Sequence, residues 1–216
     1  MIYENNKLLF ACFVMSDWMT NCYVCCDKET KKAWVIDCGF EPEELTGYLT
    51  NNDWDLEKIL LSHGHLDHVA GLDKLKAAYP EAKIYAHALE KDFGSNPDIN
   101  LAAPMGLQIS APPTDIILYG GEEIDSGELH CTVIHTPGHS PGGLGFYFNK
   151  QGFLFCGDTL FQNSIGRYDF PNSNGSLLFK SIKEKLLILP EETVICPGHG
   201  PLSKIGIEKR ENYFLR

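Results

Sequence analysis

The sequence has no hydrophobic run that approaches the length of a membrane span. A transmembrane helix needs about 20 consecutive, mostly apolar residues, because the hydrocarbon core of a bilayer is about 30 Å thick. The first residues, Met1 to Lys7, also lack the basic start and the apolar stretch of a secretory signal peptide. We therefore expect a cytoplasmic protein with no membrane partner.

An excess of basic residues is also missing. The chain has 18 Lys and Arg residues against 29 Asp and Glu residues, and its formal net charge is −11. Proteins that bind nucleic acids usually show the opposite balance, because they gain affinity by neutralising phosphates. The charge therefore argues against a nuclease or a phosphodiesterase that acts on RNA, and we expect no nucleic-acid partner.

Repeats, low-complexity tracts and linker-like segments are absent, which indicates a single domain over residues 1–216. Hydrophobic residues make up 44% of the chain and charged residues 22%, as is typical of globular proteins. Only one C-x-x-C pair occurs, Cys22 and Cys25, and no second pair completes a zinc site. Most of the eight cysteines lie in apolar, strand-like runs, so we expect buried free thiols.

What the sequence does contain is a dense histidine cluster from His63 to His68, with the sequence HGHLDH. Imidazole nitrogens and carboxylate oxygens are good ligands for zinc and similar divalent ions. The apolar run 58–62 predicts a buried strand before the cluster, and the apolar spacing in 69–79 predicts a helix after it. Ligands often collect where a strand turns into a helix. We interpret the cluster as part of a metal site and expect His68 to lie on a surface loop.

Strand-like and helical patterns alternate in two halves of the chain. The first half predicts strands at 8–14, 21–26, 33–37, 58–62 and 83–86 and helices at 41–51 and 69–79. The second half predicts strands near 122–124, 129–135, 143–148, 153–155 and 193–196 and helices at 177–189 and 205–214. Between the halves, the Gly- and Pro-rich stretch from Gly94 to Pro113 predicts a long surface connection that borders the active site. These patterns alone indicate one α/β or α+β domain.

Four short segments follow the histidine cluster, and a turn from Ile36 to Gly39 precedes it. The four segments are Thr136 to Ser140, Cys156 to Thr159, Gly166-Arg167, and Pro197 to Gly200. The cluster and these segments, in this order, resemble the HxHxDH signature and the later motifs of the metallo-β-lactamase superfamily. The resemblance implies an αββα sandwich with metals at one edge of the sandwich.

The resemblance also implies ligands for two divalent ions, with zinc expected and iron or manganese as alternatives. Three ligands and a shared bridge leave each ion an open position, as catalytic zinc sites require. The matching residues are His63, His65 and His139 for the first ion, Asp67, His68 and His199 for the second, and Asp158 for the bridge.

Within the superfamily, this pattern is similar to the glyoxalase II group, which hydrolyses S-acylglutathione thioesters. The implied mechanism is attack of a metal-bridging hydroxide on the acyl carbon, with Asp67, His68 and Asp158 at the reaction centre. The best-known zinc β-lactamases use a cysteine in the second site, so we do not expect a dedicated β-lactamase. Full glyoxalase II carries an added C-terminal helical domain, whereas 17 residues follow His199 here. We therefore expect a short form that acts on small thioesters with little dependence on the glutathione peptide.

Two other functions remain as alternatives. The stretch from Gly166 to Phe170 is also similar to one in persulfide dioxygenases, which bind one iron through two histidines and an aspartate. Those ligands match His63, His139 and Asp158. The second alternative is a metal-binding protein without enzymatic activity. Nothing in the sequence predicts an oligomeric state.

Several side chains near the motifs have more than one interpretation. Arg167 either attracts an anionic group of the substrate or forms a structural ion pair. His135 either orients a metal ligand through a hydrogen bond or is structural. His87 and His130 are expected to be solvated or structural, and Cys38 to be a packing residue.

Overall fold

The computed structural model describes residues 1–216, and its strands form two large sheets. The first sheet has seven strands in sequence order; its first four are antiparallel, and β4 to β7 are parallel. Its strands are β1 Tyr3–Glu4, β2 Leu8–Met15, β3 Thr20–Asp27, β4 Lys32–Ile36, β5 Asp55–Leu60, β6 Lys83–His87 and β7 Ile116–Leu118.

The second sheet has six strands in the order β15-β14-β11-β10-β9-β8, in which only the β11–β14 pair is parallel. A small separate hairpin, β12 with β13, lies between β11 and β14 in the chain. The strands are β8 Glu123–Ser126, β9 Leu129–His135, β10 Leu144–Phe148, β11 Phe153–Gly157, β12 Leu160–Phe161, β13 Ser164–Ile165, β14 Val194–Pro197 and β15 Ser203–Lys204.

Six α-helices and several single turns connect the strands. None of the helices combines the length and the apolar composition that crossing a membrane requires. The helices are α1 Glu43–Asn51, α2 Leu66–Val69, α3 Leu72–Ala78, α4 Pro97–Asn100, α5 Gly175–Ser181 and α6 Ile205–Glu211. The turns are 3₁₀ at Ala88–Glu90, Ala103–Met105 and Tyr213–Leu215, and a π-helical turn at Ile182–Leu186.

The two sheets pack face to face through an aromatic core. Phe10 of the first sheet packs against Phe148 of the second with ring centroids 5.2 Å apart, and Tyr23 packs against Phe155 at 4.9 Å. Along β3 and β4, successive side chains alternate between this core and the opposite face of the sheet. Cys22 and Cys25 accordingly belong to different cores, as their spacing predicts. All eight cysteines are free thiols, and seven of them are buried.

Helices cover the outer face of each sheet. Leu45 and Leu72, from α1 and α3, pack on the first sheet. Leu178 and Ile182, from α5 and the turn after it, pack on the second. The result is four layers, helix, sheet, sheet and helix, because each sheet buries both of its faces.

The helix predicted at 69–79 corresponds to α3, Leu72–Ala78, and a break at Gly71 separates α3 from α2, which ends at Val69. The break arises because the backbone around Gly71 forms hydrogen bonds with the turn after β4 instead of continuing the helix. The Gly71 N–H donates to the Cys38 carbonyl at 3.0 Å, and the Cys38 N–H donates to the His68 carbonyl at 2.8 Å. A Cβ at Gly71 would lie 2.2 Å from the Gly39 carbonyl oxygen, so this approach requires glycine.

The strand predicted at 58–62 is β5, Asp55–Leu60, and two further segments also differ from their prediction. The helix predicted at 177–189 begins at Gly175 and changes after Ser181 into a π-helical turn, which the Leu187 N–H to Ile182 carbonyl bond of 2.9 Å closes. The 94–113 connection contains α4 and a 3₁₀ turn, so it is more ordered than a plain surface loop.

Candidate metal centre

The seven ligands predicted from the sequence leave the two sheets at one common edge. His63 and His65 follow the end of β5, and α2 then carries Asp67 and His68. The other three ligands follow β9, β11 and β14, which all run in the same direction in the second sheet. Carboxyl ends of strands that run in one direction meet at one edge, which brings these loops together.

The structure groups the ligand atoms into three overlapping sets. Within each set, the atoms lie within 4.8 Å of one another. The sets are His63, His65 and His139; His63, His68 and Asp158; and Asp67, His68 and His199. The first and third sets correspond to the two predicted ion sites, and the second set joins them.

Asp158 lies between the two outer sets. Its Oδ1 is 3.4 Å from His68 Nε2, and its Oδ2 is 3.6 Å from His199 Nε2 and 3.7 Å from His139 Nε2. One carboxylate therefore faces ligands of both sets, which is the arrangement that a bridging carboxylate needs.

Three buried atoms at this centre have no hydrogen-bond partner: His63 Nε2, His68 Nε2 and Asp158 Oδ1. Buried polar atoms are nearly always hydrogen-bonded, because leaving one unpaired costs about 1–3 kcal/mol. All three belong to the set that joins the two outer ones. Two imidazole nitrogens and a carboxylate oxygen within 4.8 Å of one another fit a divalent cation.

In four of the histidines, Nδ1 forms a hydrogen bond with another group of the protein, which fixes the orientation of the ring. His68 Nδ1 donates to Asp37 Oδ2 at 2.9 Å, and His63 Nδ1 lies 3.0 Å from Ser62 Oγ, which itself donates to Asp37. His139 Nδ1 and His199 Nδ1 donate to main-chain carbonyls at 2.8 and 3.2 Å. Such contacts leave Nε2 of each ring facing the centre and set the ring orientation.

Burial and neighbouring charges divide the histidines into two kinds. Burial, with the other histidines adding to it, holds the pKa of His63 well below its ordinary value and lowers the pKa of His65 to about 3. Burial also acts to lower the pKa of His68, but Asp67, Asp158 and Asp37 outweigh it and raise the pKa. His63 and His65 are therefore neutral ligands at pH 7, whereas a metal ion has to displace a proton from His68.

The two carboxylates at the centre are charged. Burial by itself raises the pKa of Asp158, yet His68 and the other histidines around it reverse this and hold the pKa below its ordinary value. The pKa of Asp67 is lowered in the same way, because His68 and His199 outweigh burial. The centre thus offers two anionic ligands to a cation near neutral pH.

A family model described as the metallo-beta-lactamase superfamily matches residues 15–199 of the chain. The chain belongs to this superfamily. Among curated relatives, the hydroxyacylglutathione hydrolase GloC of Haemophilus influenzae is 39% identical over 204 residues, covering 90% of this chain and 92% of the relative.

Solved structures agree with the fold of the superfamily. The BLEG-1 B3 metallo-beta-lactamase gives a TM-score of 0.91 at 36% identity over 96% of this chain and 99% of that one. TTHA1623 in a di-iron-bound form gives a TM-score of 0.84 at 36% identity, over 95% of this chain and 100% of that one. ETHE1 from Myxococcus xanthus gives a TM-score of 0.79 at 26% identity, over 95% of this chain and 83% of that one. The predicted αββα sandwich of the metallo-β-lactamase type is confirmed.

In this superfamily member, a cavity of about 460 Å³ opens beside the cluster. Leu101 and Met105, from the 94–113 connection, line it, so that connection borders the site as predicted. Half of the lining residues are apolar, as in many pockets that bind small molecules. The apolar lining residues are Trp18, Leu66, Leu101, Met105, Phe161, Ile165 and Phe170.

Arg167 lines the cavity but its charge is already paired. Its Nε and Nη2 donate to the two carboxylate oxygens of Asp169, each at 2.9 Å, and the guanidinium lies 4.3 Å from the centroid of the Phe170 ring. This geometry corresponds to the structural ion pair, one of the two interpretations that the sequence allowed. The carbonyl of Arg167 also accepts the bond from His139 Nδ1.

The remaining histidines and Cys38 have structural surroundings. His135 donates to the Pro141 carbonyl at 3.0 Å and stacks on His87 with ring centroids 4.1 Å apart, so it does not orient a ligand directly. His130 pairs with Glu123 at the surface, and Cys38 is buried in the core beside α3. These surroundings favour the structural interpretation of these residues, which stays a prediction.

Three residues of this site were missed by reasoning from the sequence. Asp37 and Ser62 end strand segments next to the cluster, and a search of all polar residues at strand ends would have found both. Glu90, which bonds to the backbone of two ligand loops, lies 22 residues after His68 on another element, and no pattern in the sequence identifies it.

Proposed function

We propose that the protein is a metal-dependent hydrolase that cleaves small thioesters at a centre of two divalent ions. The observation that carries this proposal is the position of Asp158 between two sets of ligands, with unpaired buried atoms on both sides of it. Seven ligand side chains exceed what one tetrahedral ion uses. Membership of the superfamily and the name of the Haemophilus relative support hydrolysis.

Each residue of the proposed centre has a specific task. Asp67, which belongs to the third ligand set, also lines the cavity. There its carboxylate can accept a hydrogen bond from the attacking water. His68 and Asp158 hold the two halves of the centre together. Two divalent ions bound there supply a water of lowered pKa and polarise the scissile carbonyl. Zinc is the expected metal, and the di-iron form of TTHA1623 keeps iron as an alternative, with manganese also open.

The lining of the cavity supports a substrate whose thiol portion contributes little to the binding energy, for the following reason. Arg167 is the only Lys or Arg among the lining residues, and its guanidinium is paired with Asp169. A free cation is what recognition of the carboxylates of a glutathione peptide would use. We therefore propose an uncharged acyl group and a small leaving thiol as sufficient for turnover.

The test compares S-lactoylglutathione with the same acyl group on a small neutral thiol, using protein of measured metal content. We expect hydrolysis of both, with kcat/KM values that differ by less than about 100-fold, or about 2.7 kcal/mol. A chromogenic cephalosporin is assayed beside them, because one structural relative is a B3 metallo-beta-lactamase. Absence of thioester turnover in metal-loaded protein would overturn the proposal, and efficient cephalosporin turnover alone would replace it.

The second candidate is a mononuclear iron dioxygenase that acts on persulfides. The Gly166 to Phe170 segment and the likeness to ETHE1 are compatible with it. It would use His63, His139 and Asp158 and leave Asp67 and His199 without a metal. Oxygen uptake with a persulfide, measured on iron-loaded protein, separates this candidate from the hydrolase.

A further inference from the structure

Glu90 is a buried carboxylate on an element that carries none of the proposed ligands. It ends the 3₁₀ turn Ala88–Glu90 after β6, and only 2% of its surface is exposed. Each of its oxygens accepts one main-chain hydrogen bond: the Gly64 N–H donates to Oε2 at 2.6 Å, and the Gly142 N–H donates to Oε1 at 2.6 Å. The carboxylate therefore joins two segments that are far apart in the chain.

Both donors lie in loops that carry ligands of the first set. Gly64 stands between His63 and His65, and Gly142 follows His139 by three residues in the loop between β9 and β10. A carboxylate that accepts a bond from each loop fixes the distance between them. Bonds to a charged acceptor are shorter and about twice as strong as neutral ones.

The packing around Glu90 leaves room only for glycine at the two donors. A Cβ at Gly142 would lie 2.9 Å from Glu90 Cγ, and one at Gly64 would lie 2.8 Å from the Cβ of Phe93. Contacts this short do not occur between real side-chain atoms, so a larger residue would push a ligand loop away. The glycines and the glutamate thus form one close-packed unit.

We propose that Glu90 is a positioning residue of the metal centre, which sets the separation of His63 and His65 from His139 by bonding both loops. The inference rests on the proposed metal site. It goes beyond that site because it states that a residue which does not contact the ions affects how tightly the protein binds them. The opposing view is that Glu90 stabilises the fold and has no effect on the ligands.

The variant Glu90→Gln tests this directly, because it keeps the size of the side chain and changes one acceptor into a donor. An amide NH₂ cannot accept from an N–H group, so one loop loses its bond. We expect the affinity for Co²⁺, measured by chelator competition, to fall by about 10-fold or more, as for other residues that support ligands. We also expect a changed visible absorption spectrum of the Co²⁺-loaded protein.

Glu208→Gln is the matched control. Glu208 is also fully buried and accepts bonds from the Asn163 N–H and from Asn212 Nδ2, each at 2.8 Å, and from Ser203 Oγ. None of these three partners lies in the two loops that Glu90 joins. This variant should lower the melting temperature to a similar extent and leave Co²⁺ affinity within about twofold of the wild type. A stability loss shared by both variants is thereby separated from an effect on the metal centre.

Wild-type Co²⁺ affinity and spectrum in Glu90→Gln would overturn the inference, as would an equal loss of affinity in Glu208→Gln. If Glu90→Gln does not fold, Gly142→Ala carries the same test, because its methyl group displaces the loop and leaves the carboxylate intact. Wild-type binding in Gly142→Ala would then contradict the inference. Failure of the wild-type protein itself to bind Co²⁺ refutes the proposed metal site, which is a different result.

Discussion

At the residue scale, His68 shows how tertiary surroundings determine what a predicted ligand can do. The prediction that it lies on a surface loop is wrong: it belongs to α2 and is fully buried. Its Nδ1 is held by Asp37, and its Nε2 lies 3.6 Å from Asp67 and 3.4 Å from Asp158. A side chain in this position contributes both to ion binding and to stability.

His68→Ala should therefore lower metal content, hydrolysis and stability together. We expect the protein to retain one ion in place of two and to lose at least about 100-fold in kcat/KM, because the paired cations activate the water. The lost bond leaves Asp37 with fewer partners, so the free energy of unfolding should drop by about 1–3 kcal/mol. Metal analysis, thioester assays and urea unfolding measure the three effects.

His130→Ala is the matched control for this prediction, since His130 is partly exposed and pairs only with Glu123 at the surface. It should keep two ions, full activity and nearly full stability. Hydrolysis at the wild-type rate by folded His68→Ala with a single ion would contradict the proposed two-ion mechanism.

His87 makes the stability of the protein depend on pH. Burial and the stacked ring of His135 lower the pKa of His87 from 6.5 to about 4. Between these values the unfolded chain binds the proton and the folded protein does not. Stability therefore rises with pH in this range, and this contribution is lost as the pH falls from 6.5 towards about 4.

His87→Asn should make that pH dependence shallower. The asparagine oxygen can replace Nδ1 as acceptor for the Leu89 N–H, so the turn at residues 88–90 keeps its cap. The measurement is the free energy of unfolding at several pH values between 4 and 7, with both proteins freed of metal by a chelator. Identical slopes for the two proteins would show that the pKa of His87 is the same in the folded and the unfolded protein.

At the scale of elements, four long strands were predicted closely, whereas five short strands were not predicted. The predicted β9 matches the structure residue for residue, and β2, β3 and β4 agree within one residue at each end. Their apolar runs and alternation are local properties, so a sequence shows them directly. The break at Gly71 and the π-helical turn depend on contacts with distant segments, which no local pattern contains.

The metal centre shows the same difference between local patterns and contacts with distant segments. Seven ligands were predicted because they lie in short motifs at strand ends, and the fold brings all seven together. Asp37 bonds to His68 and Ser62, Ser62 contacts the neighbouring His63, and Glu90 bonds to two ligand loops. The sequence does not reveal the partners of a lone carboxylate such as Glu90, because packing of the whole domain determines which groups it contacts.

A glycine inside α1 offers a test of local stability. Gly47 lies in the middle of the helix, has no left-handed backbone, and a Cβ at this position would meet no atom within 4 Å. Gly47→Ala should raise the free energy of unfolding by about 0.5–1 kcal/mol, because alanine restricts the unfolded chain. Urea unfolding measures this change.

Gly121→Ala is the matched control for that substitution. It also meets no neighbouring atom, but its φ of +101° is strained for any residue with a side chain. This variant should lose stability, and a gain equal to that of Gly47→Ala would contradict the backbone argument.

At the scale of the whole molecule, the sandwich collects strand ends from both halves of the chain at one edge. His63 follows the first sheet and His199 follows the second, so neither half holds both ligand sets. The two halves are joined by Asp158, which faces ligands from each. The net charge of −11 also favours the approach of divalent cations over anions.

The central claim, that this edge holds two ions which act together, is tested most directly by a metal titration. Metal-free protein is titrated with Zn²⁺ while hydrolysis of S-lactoylglutathione is followed after each addition. The two ligand sets that share Asp158 predict that activity reaches its plateau at two equivalents per chain. A plateau at one equivalent, with no further ion bound, would contradict the claim and favour the mononuclear alternative.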